Sequence, residues 1–225
     1  MNFVEQFLWI LYPYIALTLF VVGHIYRYSS DPLGWTAQSS QLLEQKKLKW
    51  GSFLFHFGIV AVLGGHIAGL LVPKAFFDGI GISNELYHQG AIYGGGPVGL
   101  IAFAGMVLLA LRRFGNDRIL AVSSVSDRLI VLLLLGEILL GIGATFSNLF
   151  DASHFDYRQT IAPWFRSLFI FCPDSTLMSS VPWIFKLHIL AGFFIFALWP
   201  FTRLVHVWSL PVEYLQRAYI QYWRR

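Results

Sequence analysis

A chain of 225 residues with 56% apolar and only 12% charged side chains cannot coat a water-soluble particle, since soluble domains carry about 25% charged residues. The mean hydropathy of +0.62 points the same way, to an integral membrane protein. The net charge of +4 reads as membrane topology and excludes a nucleic-acid binder, because the basic residues sit in short links between apolar runs.

The first run, within MNFVEQFLWILYPYIALTLFVV, lacks a basic leader and a small-residue cleavage site, so it predicts a retained span. A spanning helix needs roughly 20 mainly apolar residues. Five runs qualify, over about 4–26, 50–73, 89–111, 128–149 and 182–208. No repeat or low-complexity linker divides them. The expected fold is all-α, a single membrane domain over 1–225 built as a bundle of five spans with a tail from 209.

Loop charge sets the expected orientation. Twelve of the sixteen Lys and Arg residues fall on one side, including Arg27, Lys46, Lys47, Lys49, Arg112, Arg113, Arg118, Arg128 and Arg203. Lys74, Arg158, Arg166 and Lys186 fall on the other. The basic side is cytoplasmic by the positive-inside bias, which places the N-terminus outside and the C-terminus inside. The inner link SSDPLGWTAQSSQLLEQKKLKWG reads as a turn followed by a short amphipathic surface helix. The outer link from Asp151 to Ser180 is aromatic and predicts one or two short capping helices. The tail SLPVEYLQRAYIQYWRR has two readings, a partner-docking helix or an aromatic–basic headgroup anchor. The single cysteine, Cys172, excludes an intrachain disulfide and any Fe–S site of the chain's own.

Four of the seven histidines lie within spans, two on the second (His56, His66) and two on the fifth (His188, His206). An ionisable side chain inside a bilayer is costly and marks a functional site by default. Antiparallel spans pair His56 with His206 near the inner face and His66 with His188 near the outer. Each pair suits the two axial positions of a haem b iron, which leaves no open coordination site and transfers electrons only. Ten residues from His56 to His66 make a rise of roughly 15 Å, whereas eighteen from His188 to His206 make roughly 27 Å. Tilt and a bend at Pro200 would reconcile the two rises.

Gly65 and Gly69, with Gly64 and Gly58, flank these histidines and have two readings, approach of a macrocycle or plain helix packing through small residues. Lys186, Arg203 and Arg112 stand at depths where they would pair with haem propionates or, alternatively, snorkel to headgroups. Glu137, a carboxylate inside the fourth span, reads as bonded to a neighbouring helix or as part of a proton path. His24 reads as a headgroup contact and His154 as solvated.

The segments FHFGIVAVLGGHIAGLLVP, FKLHILAGFF and WPFTRLVHVWSLPVEYL, with YPYIALTLF and WTAQSSQLL, carry a resemblance that covers essentially the whole chain. It resembles the gamma (cytochrome b) subunits of membrane-bound respiratory nitrate reductases. The resemblance implies two haem b groups on His56/His206 and His66/His188. It also implies anchorage of an Fe–S subunit and a molybdenum catalytic subunit in the plasma membrane of a prokaryote. Quinol would be oxidised near the outer haem with protons released outside, and nitrate reduced on the partner. Some members of that family carry a lysine at the quinol site. Here the region reads SNELYHQGA, with Tyr87 in the lysine's place. His88, with Tyr87 or Glu85, is then the candidate for a quinol oxygen and its proton, the alternative being an interfacial anchor.

Two other readings compete. A sibling keeps the haems and serves a sulfur-compound or heterodisulfide reductase, against which the C-terminal motif stands. A haem-free transporter or proton channel would use the same histidines and show no visible spectrum.

Overall fold

The computed structural model describes residues 3–31, 35, 40–150 and 155–209. His154 and the tail beyond 209 lie outside them, as does much of the first inner link. The described residues form helices and no strands, as expected. Five helices are long and apolar enough to cross a membrane: Phe3–Ser30, Lys46–Leu71, Asn84–Phe114, Val125–Ser147 and Trp183–Phe201, here spans one to five. Their outward faces carry exposed bulky side chains such as Phe53, Phe57, Val60 and Leu63 of span two. Such a surface is stable in lipid and not in water.

Two starts are earlier than predicted, each for a capping reason. The Glu44 carboxylate accepts the N–H groups of Lys47 (2.7 Å) and Leu48 (3.3 Å), so the basic residues there form the first turn of span two. The separate amphipathic helix expected in that link is therefore corrected for residues 46–49. Ser83 Oγ accepts the Leu86 N–H at 3.1 Å, and span three begins at Asn84 rather than near 89. The side chains of Glu85, Tyr87 and His88 thus stand on a helix.

Span five ends early. Its α-helix stops at Leu198 and passes through a 3₁₀ turn, Trp199–Phe201, which contains Pro200. Thr202 is extended, and a second 3₁₀ segment, Arg203–Ser209, carries His206. A proline cannot donate to the ladder and its ring opposes a continuing helix. The carbonyls freed there are not wasted in lipid, because Arg27 Nη1 of span one donates to Pro200 O (2.7 Å) and Thr202 O (3.0 Å).

Span two packs on three, three on four, four on five, and five on one. Spans two to five therefore make an arc whose ends are the two histidine-bearing helices. Association in lipid has little hydrophobic driving force and rests on close fit. The tightest fit is between spans two and three. A Cβ on Gly58 would stand 2.5 Å from Ala102 N, and one on Gly105 would enter the backbone at Phe55. For Gly58 the helix-packing reading is the one seen.

At one end of the bundle the link 155–180, expected to form one or two short helices, folds into one α-helix, Ile161–Phe169, between two 3₁₀ turns, Tyr157–Gln159 and Ser175–Met178. They cap the bundle through Trp164, which is 0% exposed, packs edge-on to Trp9 and donates its indole N–H to Trp9 O at 2.9 Å. At the other end the arginines gather. Arg112 is buried, and its guanidinium donates to Ser40 Oγ, Ser40 O, Glu44 O and Glu44 Oε2.

Replacing Gly58 by Val should destabilise the detergent-solubilised protein by roughly 1–3 kcal/mol, the usual cost of overpacking. Gly99→Ala should be nearly neutral, since its added Cβ meets only Ile142 Cγ1 at an ordinary 3.5 Å. Thermal melting of the two variants side by side checks this, and equal midpoints would contradict the packing account.

Candidate functional site

The two histidine pairs expected from topology are brought together. The ring centres of His56 and His206 are 6.1 Å apart with planes crossed at 78°, and those of His66 and His188 are 6.0 Å apart at 48°. The early end of span five removes the mismatch in rise, because His206 does not sit two turns further along a straight helix.

Three of the rings are oriented in the same way. Nδ1 lies 2.7 Å from Ser52 O in His56, 2.9 Å from Val62 O in His66 and 2.6 Å from Arg203 O in His206. A carbonyl only accepts, so Nδ1 carries the proton in each and Nε2 keeps its lone pair. That is the tautomer a metal ligand needs. His188 differs. Its Nδ1 has no aligned acceptor, but Glu137 Oε1 of span four lies 3.1 Å away.

The pairs fit a haem by a geometric test. A metal–imidazole nitrogen bond of about 2 Å, taken twice with two ring radii of roughly 1 Å, puts opposed ring centres about 6 Å apart. Both observed separations agree. No group of three or more His, Cys, Asp or Glu side chains forms a metal cage among the described residues. Two imidazoles alone suit an iron whose other four ligands come from a porphyrin.

The glycines divide. Gly64 and Gly65 have nothing within 4 Å of an added Cβ, so open space lies beside His66. The space beside Gly69 is taken by the Tyr157 hydroxyl, 2.6 Å from such a Cβ, which gives Gly69 a packing role instead. Of the three cations expected at propionate depth, Arg112 has every guanidinium nitrogen turned to residues 40–44. Lys186 Nζ reaches Ser179 O at 3.4 Å. Arg203 stays beside His206, with Nε 3.6 Å from Asp127, which also faces Arg113 at 3.8 Å. His24 is not a headgroup contact. Its Nδ1 donates to Phe20 O at 2.6 Å and its Nε2 accepts the Trp208 indole N–H at 3.1 Å.

Glu85, Tyr87 and His88 come together in a cavity of about 100 Å³, closed on the other side by Asp156, Tyr157 and Arg158. Tyr87 shares a hydroxyl–hydroxyl bond of 3.1 Å with Tyr157. The Arg158 guanidinium lies 3.9 Å over the Tyr87 ring and is held by Asp156 at 2.9 Å. Burial first, then the bond to Tyr87, push the Tyr157 phenol above its usual range, so it stays protonated. Burial works to raise the Asp156 carboxyl, but the hydrogen bonds from Arg158 and Gln159 outweigh it and hold the group low. Glu85 sits at the rim, bonded to Gln89 at 2.8 Å. Gly69, one turn beyond His66, touches Tyr157 and links the cavity to the His66/His188 pair. The sequence did not single out Tyr157, Arg158 or Asp156 as site residues; the only available signal was an arginine on the sparsely charged side.

Residues 5–225 match the model of the nitrate reductase gamma subunit family. The chain belongs to that family. It is 53% identical over 220 residues to the nitrate reductase gamma chain of Bacillus subtilis (strain 168), covering 98% of both chains. It is 36% identical to the respiratory nitrate reductase 1 gamma chain of Escherichia coli (strain K12), covering 97% of both. A nitrate reductase-like protein, NarX, of Mycobacterium tuberculosis is 39% identical over 96% of this chain and 33% of its own length. The gamma subunit is thus a multi-pass plasma-membrane component of a nitrate reductase, an oxidoreductase.

Asp156 has a folded-state pKa below the ordinary carboxylate value of about 3.9. Its hold on Arg158 is therefore fully present above that value and lost as pH falls through the lower folded one. Protease protection of the 155–180 link should stay flat from about pH 7 to pH 5 and fail only in stronger acid. In Asp156→Asn it should be weak already at neutral pH, and a variant as well protected at pH 7 as the wild type would refute the assignment.

Proposed function

We propose that this gamma subunit is a dihaem cytochrome b that oxidises quinol near the outer face. It passes the electrons inward through two haems to an Fe–S subunit, and nitrate is reduced on the molybdenum subunit. The carrying observation is the pair of cross-span histidine couples, each with ring centres about 6 Å apart and three of four Nδ1 protons fixed on carbonyls.

His66 and His188 would hold the outer haem iron, His56 and His206 the inner one. A bound haem b would supply reversible one-electron transfer. The protein's part is to fix four imidazoles across a bilayer and exclude water between them. Arg203, beside His206 and facing Asp127, is the proposed partner of an inner propionate. Gly65 would let the outer macrocycle approach span two.

The cavity at Tyr87 is the proposed quinol site. Quinol oxidation releases two electrons and two protons. His88 is proposed to take a proton, because it lines the cavity and its buried Nε2 is an imidazole nitrogen able to accept one. The Tyr87 and Tyr157 hydroxyls would bond a quinol oxygen, and Arg158 supplies the positive charge that a lysine gives in some relatives. Glu85 at the rim offers a proton exit toward the outside. With the basic loops inside, the N-terminus is outside and the C-terminus cytoplasmic.

Four measurements test this. Membranes carrying the complex should show a reducible b-type spectrum with two haems per gamma subunit, and its absence would sink the haem reading. His66→Ala and His188→Ala should lose the same haem, while His56→Ala and His206→Ala lose the other; a crossed result overturns the pairing. Tyr87→Phe should raise the quinol KM about fivefold, the size of one hydrogen bond worth roughly 1 kcal/mol, with both haems still reducible by dithionite. For the orientation, an impermeant maleimide should label exposed Cys172 in intact spheroplasts. Labelling only after lysis would reverse the assigned sides.

A further inference from the structure

Three of the four histidines donate Nδ1–H to a carbonyl on their own segment, three or four residues back. His188 does not. Its ring turns across to span four, where Glu137 Oε1 stands 3.1 Å from Nδ1. Neither His188 Nδ1 nor Glu137 Oε2 has a hydrogen-bond partner in this structure, although both atoms are buried.

Two glycines make this approach possible. A Cβ on Gly141, one turn after Glu137, would press on His188 Cε1 at 3.1 Å. A Cβ on Gly192, one turn after His188, would press on Glu137 Oε1 at the same distance. Each helix thus omits a side chain where the other helix presents its polar group. A carboxylic side chain is costly within a span and calls for a partner, and His188 stands within reach of it.

We propose that Glu137 is the positioning residue of His188: its carboxyl oxygen accepts the Nδ1 proton and so tunes the outer haem separately from the inner one. The inference rests on the haem reading given above. A carboxylate is a stronger acceptor than a peptide carbonyl. A stronger acceptor on Nδ1 makes Nε2 a better electron donor to the iron and fixes the ring's orientation. That favours the ferric state and lowers the reduction potential. The inner pair has two carbonyl acceptors, whereas the outer pair has one carbonyl and one carboxyl. The asymmetry makes electron transfer from the outer haem to the inner one more favourable.

The test is a redox titration of the membrane-bound complex, following the two haems by their visible bands, with Glu137→Gln compared to wild type. The expected result is a several-fold higher reduced-to-oxidised ratio of the outer haem at fixed ambient potential. The inner haem should be unchanged, and the low-spin ferric EPR signal of the outer haem should move. A purely structural contact would alter haem content or melting and leave the potential in place. Full occupancy with an unshifted outer haem, or an equal shift of both haems, overturns the proposal. Should Glu137→Gln fail to load the outer haem, Gly192→Ala gives the second reading, since it keeps the carboxyl and crowds it. A raised outer potential there supports the role and an unchanged one refutes it. A wild-type protein without haem would instead defeat the underlying reading.

Discussion

His206 can face His56 only because span five stops being an α-helix at Pro200. A continuous helix would carry His206 about two turns too far from His56. The proline breaks the ladder, and Arg27 of span one then satisfies the carbonyls at Pro200 and Thr202. In a bilayer those oxygens would have no water to turn to. Close packing follows the same break, since a Cβ on Gly23 would stand 2.8 Å from the Pro200 ring. The separation of the His56/His206 pair depends on a kink in span five and on a cation and a missing methyl group supplied by span one.

Polar satisfaction organises the two ends differently. At the arginine-rich end, Arg112 gathers residues 40–44, and Asp127 lies between Arg113 and Arg203. At the opposite end the cap is mainly aromatic, built on Trp164 and Trp9, with a small charged cluster at Asp156 and Arg158. The cavity at Tyr87 lies where that cap meets the first turns of span three. A π-helical turn follows His66 at Ile67–Leu71 and another follows His88 at Ala91–Gly95. Such turns commonly occur at functional sites.

The five spans and the pairing of histidines were legible because both follow from apolar length and antiparallel order. Four imidazoles on two spans admit one antiparallel matching. Span ends were less legible, because they depend on caps such as Glu44 and Ser83 whose role is invisible until the backbone is placed. Depth alone could not sort the cations. Arg112 and Arg203 have the same charge at similar depth, yet only one is fully turned to a neighbouring link. Gly65 and Gly69 look alike in sequence and differ in whether Tyr157 stands beside them. The contributions of Tyr157 and Arg158 come from a link some 70 residues away from Tyr87, and no local pattern announces such a contact.

The bond from Arg27 to the Pro200 turn joins residues 173 apart in the chain. During synthesis span one emerges first and must wait for nearly the whole polypeptide before that contact forms. The His66/His188 pair becomes complete once residue 188 is made, the His56/His206 pair only after residue 206. Maturation of the subunit therefore has a built-in order, with one half of the bundle able to close while the other still lacks its last histidine. A nascent chain stalled between those positions would be a half-assembled subunit with the loop-capped end formed first.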